Sequence, residues 1–213
     1  MSFVLPEGLA PEVYPLAWLV GRWRGEGVVG YPGITESTFT QEMVFAHDGG
    51  PYLSYSSVIR LGAPVTADDA DSADDAGGTP DEPAASDGTV APAATDGLPA
   101  ATAENPVWAT ESGYWRVPPD RPDGIDDDKH PLEVLVADPS GHVAVYVGET
   151  GNGRIDLASD LVARTPTGAD VTAATRLYGL VQGDLMWAHD LAAFGRPLQS
   201  YASARLVRVP DAA

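Results

Sequence analysis

The sequence predicts an all-β protein: a ten-stranded antiparallel up-and-down barrel with one short helical turn near its N-terminus. Two observations lead to this fold. Short runs of apolar and β-favouring residues recur along the chain, separated by Gly, Pro, Asp and Asn. The first of these runs also has glycine at every second position. A meander of many strands must close on itself or expose unpaired edges, and closure is the usual solution.

The first predicted strand contains Gly21, Trp23, Gly25 and Gly27 at alternate positions. Because side chains alternate between the two faces of a strand, one face carries only Trp23 among glycines. Such a bare face lets another backbone or a ring lie against it, or it lets the strand bend sharply. We therefore predict that Trp23 closes one end of the barrel and that the glycines form a tight corner there.

The remaining elements follow from pattern and turn chemistry. A short helical segment at 11–19 is placed to cap one end of the barrel. Gly, Asn and Asp clusters between the strands predict short hairpin connections. The predicted strands are 23–29, 36–46, 52–61, 108–117, 132–137, 142–149, 154–161, 170–181, 185–192 and 199–209.

Residues 62–106 differ from the rest of the chain. Acidic residues lie there among Ala, Gly, Pro, Ser and Thr, with no aromatic or basic residue. Such a segment cannot bury enough apolar surface to offset the entropy cost of ordering it. We expect a disordered acidic loop inserted into a single domain that spans residues 1–213. A scaffold role, in which this loop recruits a partner, is one functional hypothesis.

Composition excludes several classes of function. The net charge is −19, from 31 acidic and 12 basic residues, which argues against nucleic acid or an anionic membrane surface as a partner. The chain has no cysteine, so disulfides, thiolate metal sites and thiol nucleophiles are excluded. With no basic leader and no long apolar run, we expect a cytoplasmic protein that is a monomer or a homodimer.

No catalytic constellation is found. The sequence lacks a Gly-x-Ser-x-Gly elbow, and a triad of Ser54, His47 and Asp190 can be drawn only by free choice of residues. Glu36 and Glu42 share a strand face by parity, where two carboxylates usually face solvent. We expect no confident metal site and no catalysis by these residues.

Several motifs together resemble the nitrobindin family. The glycine–tryptophan strand is followed by Tyr31-Pro32, and further matching segments lie at 45–51, 111–116, 159–162 and 197–199. The resemblance covers nearly the whole chain outside the acidic loop. It implies a barrel shaped like the fatty-acid-binding proteins that carries haem b, held by one axial histidine on the last strand just after a Pro-Leu-Gln segment. It also implies nitric oxide binding or isomerisation of peroxynitrite to nitrate.

This chain departs from the family at that axial position. Pro197-Leu198-Gln199 is followed by Ser200 and Tyr201, so a tyrosine stands where the family has its haem-binding histidine. Tyrosinate does ligate ferric haem, but the phenol, with an ordinary pKa of about 10, must first lose its proton. Strand alternation leaves the direction of the Tyr201 side chain open, and a bulge near Ser200 would reverse it.

His189 is the candidate for a substitute interior ligand. Alternation places it on one strand face with Leu185, Trp187 and Leu191, which is the more apolar face and the predicted interior. A buried, hydrogen-bonded histidine without a ligand is the alternative reading of the same pattern. The other histidines are expected at turns or strand ends; His142, which opens a predicted strand, is expected to be exposed.

The sequence thus leads to three functional hypotheses. The first is a nitrobindin-like barrel that binds a hydrophobic small molecule, has lost the usual histidine-ligated haem site and holds no resident cofactor. The second is a ferric haem protein, with Tyr201 or another ligand, that binds nitric oxide or isomerises peroxynitrite. The third is the scaffold with an acidic interaction loop.

Overall fold

The protein is described here by a computed structural model of residues 5–64 and 105–210. In these residues ten antiparallel strands form a closed barrel in which each strand pairs with the next along the chain and the last pairs with the first. The predicted all-β barrel is therefore confirmed, including its ten strands. Residues 11–19 form a 3₁₀ helix ahead of the first strand, at the position predicted for the helical turn.

Seven of the ten strands are longer than the sequence pattern predicts, because ladder pairing extends into the turn-like residues at their ends. The fourth and tenth strands have the predicted length, and the eighth is one residue shorter. Their bounds are β1 Gly21–Tyr31, β2 Ile34–Ala46, β3 Leu53–Pro64, β4 Val107–Arg116, β5 His130–Asp138, β6 His142–Gly151, β7 Arg154–Arg164, β8 Val171–Val181, β9 Asp184–Ala193 and β10 Gln199–Val209.

The 3₁₀ helix closes one end of the barrel against Trp23. The Trp23 side chain is fully buried, and its Nε1–H donates a hydrogen bond to the Leu19 carbonyl oxygen at 2.7 Å. The guanidinium of Arg208 lies over the indole, 4.1 Å from the ring centroid. Trp23 therefore closes this end, which we call the closed end, as the sequence predicts.

The glycines of β1 allow β10 to approach closely. A Cβ atom on Gly25 would overlap the carbonyl oxygen of Arg205, and one on Gly27 would overlap both the Ser203 carbonyl oxygen and the Phe39 ring. Real Cβ atoms cannot take these positions without backbone movement. Gly25 and Gly27 are therefore a packing requirement of the β1–β10 junction.

β3 ends and β4 begins at the opposite end of the barrel, which we call the open end. Pairing of Ser37 with Pro64 carries β3 past residue 62, and the Leu61 N–H donates to the Pro106 carbonyl oxygen at 3.0 Å. Strand β3 thus includes residues 62–64, which the sequence pattern assigns to the acidic loop. The remainder of that expected loop, residues 65–104, lies outside the described residues.

The residues first considered for catalysis do not come together. The Ser54 hydroxyl donates to the Ala46 carbonyl, whereas Asp190 of β9 accepts from Thr175 on the adjacent strand β8. Glu42 forms an ion pair with Arg24 at 2.7 Å. In the described parts of the chain no three His, Asp or Glu side chains cluster in a way that could hold a metal ion, and no helix is long and apolar enough to cross a membrane.

Candidate ligand cavity

A cavity of about 520 Å³ occupies the barrel interior and reaches the open end. Its walls are mainly aliphatic and aromatic, with Val29, Met43, Val136 and Leu191 among them. At the open end its lining includes the turn after β5 and Phe194 after β9. The volume and the apolar walls with few polar groups are typical of small-molecule sites.

An ion pair between Arg176 of β8 and Glu111 of β4 lines the inner part of the cavity, away from the open end, and we call this inner part the floor. The guanidinium donates two hydrogen bonds to the carboxylate, Nη1 to Oε2 at 2.8 Å and Nη2 to Oε1 at 2.5 Å. Tyr55 donates to Glu111 Oε2 at 2.9 Å, and Arg176 Nε donates to the Tyr146 hydroxyl at 3.3 Å. Burial opposes ionisation of Glu111, but the charge and hydrogen bonds of Arg176 outweigh it and lower the pKa of Glu111 to about 2.

A second polar group of the interior is also satisfied internally. The Trp187 Nε1–H donates to Gln41 Oε1 at 2.8 Å, and Gln41 Nε2 donates to the Ser57 hydroxyl at 2.8 Å. All three residues are buried. The polar side chains of the floor therefore form hydrogen bonds with one another, so they do not require hydrogen bonds from a ligand.

His189 is different, because its Nε2 atom is buried and has no hydrogen-bond partner among the described residues. The residue lies opposite Arg176 in the β8–β9 ladder and lines the cavity, so the inward orientation predicted from strand alternation is confirmed. Burial, reinforced by the charge of Arg176, lowers the pKa of His189 to about 3. The imidazole is thus neutral at ordinary pH.

Tyr201 enters the cavity through a β-bulge. Ser200 pairs with Asp190 and Ala202 pairs with His189, so Tyr201 is the extra residue of β10. As a result Tyr201 and Ala202, although consecutive, both line the cavity. The bulge that the sequence analysis left open is present, and it turns the Tyr201 side chain inward.

The Tyr201 phenol is held by its neighbours. Its oxygen accepts a hydrogen bond from Trp108 Nε1 at 2.8 Å, which links β4 to β10 across the open end. Its ring lies edge-on to His189, with centroids 5.6 Å apart and planes at 83°. Burial raises the pKa of Tyr201, and the Trp108 hydrogen bond opposes this only in part, so the phenol keeps its proton.

His142 lies at the rim of the cavity, and the expectation that it is exposed is wrong, since only 11% of its side chain is accessible. Its Nε2 lies 2.9 Å from the Ala169 carbonyl oxygen, and its Nδ1 lies 3.1 Å from the Ser140 hydroxyl and 3.4 Å from Asp138. Both ring nitrogens are therefore used in holding two loops together. Because Nε2 of His142 contacts a backbone carbonyl instead of a serine hydroxyl, Ser140, His142 and Asp138 do not form a catalytic triad.

Sequence reasoning missed the Arg176–Glu111 pair and Gln41. Arg176 alternates with Ala174 and Tyr178, both buried, and an arginine at an inward position of a strand requires a partner. Strand alternation could therefore have shown that Arg176 is buried with a partner. It could not have identified Glu111 as that partner, because β4 and β8 are not adjacent in the barrel and meet only once it closes.

Comparison with known proteins gives a consistent result. Residues 12–208 match the family model described as "THAP4-like, heme-binding beta-barrel domain". A protein of Beutenbergia cavernae named "Ferric nitrobindin-like protein" is 47% identical, over 98% of this chain and 100% of its own length. One of Parafrankia sp. named "Peroxynitrite isomerase" is 41% identical, over 95% and 82%. The crystal structure of Rv2717c from M. tuberculosis superposes with a TM-score of 0.65 at 27% identity, covering 95% of this chain and 99% of that one.

Proposed function

The chain belongs to the family of THAP4-like, haem-binding β-barrels, the nitrobindin family, and we propose that its cavity binds a hydrophobic small molecule without the histidine–iron bond expected from the last strand. The observation that carries this proposal is the state of Tyr201. The nitrobindin resemblance assigns the axial position to this residue. Its oxygen accepts a hydrogen bond from Trp108, and burial raises the pKa of its phenol, which disfavours the tyrosinate that ligates ferric haem.

The charges inside the cavity restrict the ligand further. Arg176 is the only arginine or lysine that lines the described cavity, and both of its terminal nitrogens bind Glu111. A carboxylate at the floor would have to displace Glu111 from a bidentate pair, which would leave a buried charge unpaired. The ligand therefore places an uncharged, apolar part at the floor and keeps any carboxylates in water at the open end.

A ferric haem protein is the second candidate, favoured by the neutral, unpartnered imidazole of His189 and by relatives named peroxynitrite isomerase. His189 is the residue that could hold the group in this chain. Bound haem would supply a Lewis-acidic iron for nitric oxide or peroxynitrite. The chain's own contribution would be an apolar cavity that excludes water from the floor and a hydrogen-bonded Tyr201 at its entrance.

The proposed binding is tested with a matched pair of fluorescent probes, an anthroyloxy-labelled stearic acid and its methyl ester. We expect both to bind with enhanced fluorescence, the ester at least as tightly as the acid, because no free cation is available at the floor. Ala144→Phe, on the cavity wall, should weaken both at least tenfold. Val143→Phe, next along β6 but on its exposed outer face, is the matched control and should leave both unchanged.

Two outcomes would count against the proposal. Tenfold tighter binding of the acid would mean that a cation reads the carboxylate. Equal binding to the Ala144→Phe and Val143→Phe variants, both shown to be folded by circular dichroism, would place the probe outside the cavity.

The acidic interaction loop, the cytoplasmic location and the oligomeric state remain predictions.

A further inference from the structure

The Tyr201 hydroxyl at the open end has one hydrogen bond still to make. Its oxygen accepts from Trp108 Nε1 at 2.8 Å, and no acceptor among the described residues takes its proton. This hydrogen bond is exposed, unlike those of the floor, and both side chains line the cavity. A phenol that already accepts one hydrogen bond still has its O–H to donate, so it can bind an acceptor atom of a ligand.

Contacts with three other strands hold this donor in place. The ring of Tyr201 lies edge-on to His189 of β9, with centroids 5.6 Å apart, and to Tyr31 of β1, with centroids 6.3 Å apart. The hydrogen bond from Trp108 ties its oxygen to β4. Because the side chain is held before a ligand arrives, binding through its O–H requires little further ordering.

Two other tyrosines of the cavity wall use their protons within the protein. Tyr31 accepts from the Ala193 N–H at 3.0 Å and donates to the Leu191 carbonyl oxygen at 3.2 Å. Tyr55 donates to Glu111. Neither of these hydroxyls has a proton to offer to a ligand.

Tyr146 and Tyr178 also line the cavity, but their side chains are packed into its floor. They are only 3% and 1% exposed, and the Tyr146 oxygen accepts from Arg176 Nε at 3.3 Å. Among the tyrosines that line the described cavity, Tyr201 therefore combines an accessible hydroxyl with a proton that no protein group accepts.

The surroundings of Tyr201 favour an uncharged acceptor over a carboxylate. Asp138 lines the cavity at the same end, and the chain has a net charge of −19. Arg176, the one arginine or lysine in the described lining, is bound to Glu111 at the floor. An anion beside Tyr201 would lose water without gaining a cation, whereas a ketone or ester carbonyl loses less on desolvation and still accepts the phenolic proton.

We propose that Tyr201 is the specificity-determining donor of the cavity, and that its O–H binds the carbonyl oxygen of an uncharged, hydrophobic ketone or ester whose apolar part fills the interior. This inference rests on the proposed function, because it requires that the cavity admits a hydrophobic molecule. It adds the chemical class of that molecule and the atom that recognises it.

The test compares benzophenone, labelled with ¹³C at its carbonyl carbon, with diphenylmethane, which has the same two rings but no oxygen. Displacement of the anthroyloxy methyl ester, after its own affinity is measured for each variant, gives both affinities. The ¹³C signal of the bound ketone reports the hydrogen bond as a downfield shift. In Tyr201→Phe we expect benzophenone to bind about fivefold more weakly and diphenylmethane to bind within about twofold of wild type. The carbonyl signal should move upfield.

Tyr114→Phe is the matched control, because Tyr114 lies on the exposed outer face of β4 and does not line the cavity. It should leave both affinities and the carbonyl signal unchanged. If Tyr201→Phe does not fold, Tyr201→Met provides the same comparison of ketone with hydrocarbon.

Specific results would overturn the inference. Equal loss of affinity for both compounds in Tyr201→Phe would show that the ligand contacts the ring and not the hydroxyl, and an unchanged carbonyl signal would show that the hydroxyl does not bind the ketone. A signal that moves in Tyr146→Phe but not in Tyr201→Phe would place the carbonyl at the floor. If wild type binds the ester and diphenylmethane but prefers neither ketone nor hydrocarbon, this inference fails while the proposed function stands. If none of the three compounds binds, the proposed function fails as well.

Discussion

The closed end of the barrel is filled with packed side chains, whereas the open end leads into the cavity. At the closed end the Trp23 indole N–H binds Leu19, and Arg208 covers that ring while its Nη2 donates to the Trp18 carbonyl at 2.6 Å. At the open end the Trp108 indole N–H binds the Tyr201 hydroxyl beside the cavity, and Phe194 lines its rim. The difference indicates that the closed end contributes stability and that the open end is built for binding.

The Arg176–Glu111 pair lies between these two regions and should give the largest effect. Arg176→Met leaves Glu111 as an unpaired charge in the interior, so we expect a loss of about 3–5 kcal/mol in the free energy of unfolding. Adding Glu111→Leu removes that charge and should recover much of the loss. Urea unfolding of the two single variants and the double variant measures this. If the losses simply add, the pair is not coupled.

Gly25→Ala tests the packing of the closed end. The added Cβ overlaps the Arg205 carbonyl of β10, so either strand must move, at a cost of about 2–3 kcal/mol. Gly179→Ala is the matched control, since a Cβ on this strand glycine meets no atom within 4 Å. Chemical denaturation should separate the two variants. Equal stability would mean that the β1–β10 junction yields easily.

A pair of tryptophan substitutions sharpens the contrast between the ends. Trp23→Phe loses the hydrogen bond to Leu19 and the best cation–π surface for Arg208, so we expect about 1–2 kcal/mol of destabilisation with no change in affinity for the anthroyloxy ester. Trp187→Phe breaks its bond to Gln41 inside the cavity and should change that affinity. A larger change in affinity for the ester in Trp23→Phe than in Trp187→Phe would place binding at the closed end and contradict the account.

The last prediction concerns pH. Burial lowers the pKa of His189 to about 3 in the folded protein, below its ordinary value of 6.5. As pH falls below 6.5, His189 binds a proton in the unfolded chain but not in the folded protein, so the free energy of unfolding decreases toward acid pH. This adds at most about 1.4 kcal/mol per pH unit to the slope. His189→Gln should therefore show a flatter decline than wild type between pH 6.5 and 4. Parallel curves for the two proteins would contradict the lowered pKa.

The closed end could be predicted from sequence because its signal is local. The alternation of Gly21, Trp23, Gly25 and Gly27 lies within seven consecutive residues, and each strand has a β-favouring composition of its own. His189 could be placed inward for the same reason, since its strand is regular up to that residue.

The open end could be predicted only in part, because its geometry depends on irregular or long-range features. The bulge at Tyr201 shifts strand parity, and the sequence does not determine whether a bulge forms. The Arg176–Glu111 pair joins strands that are 65 residues apart in sequence and meet only across the closed barrel. Barrel closure, rather than local propensity, determines which polar groups meet at the floor.

The five tryptophans allow one direct test of the division between the two ends. Their indole N–H signals can be followed in ¹H–¹⁵N correlation spectra during titration with the anthroyloxy methyl ester, with assignments from Trp→Phe variants. Trp108 and Trp187 line the cavity, whereas Trp23 lies at the closed end. We expect the Trp108 and Trp187 signals to shift and the Trp23 signal to stay in place. A shift of Trp23 with Trp108 and Trp187 unmoved would contradict a binding cavity at the open end.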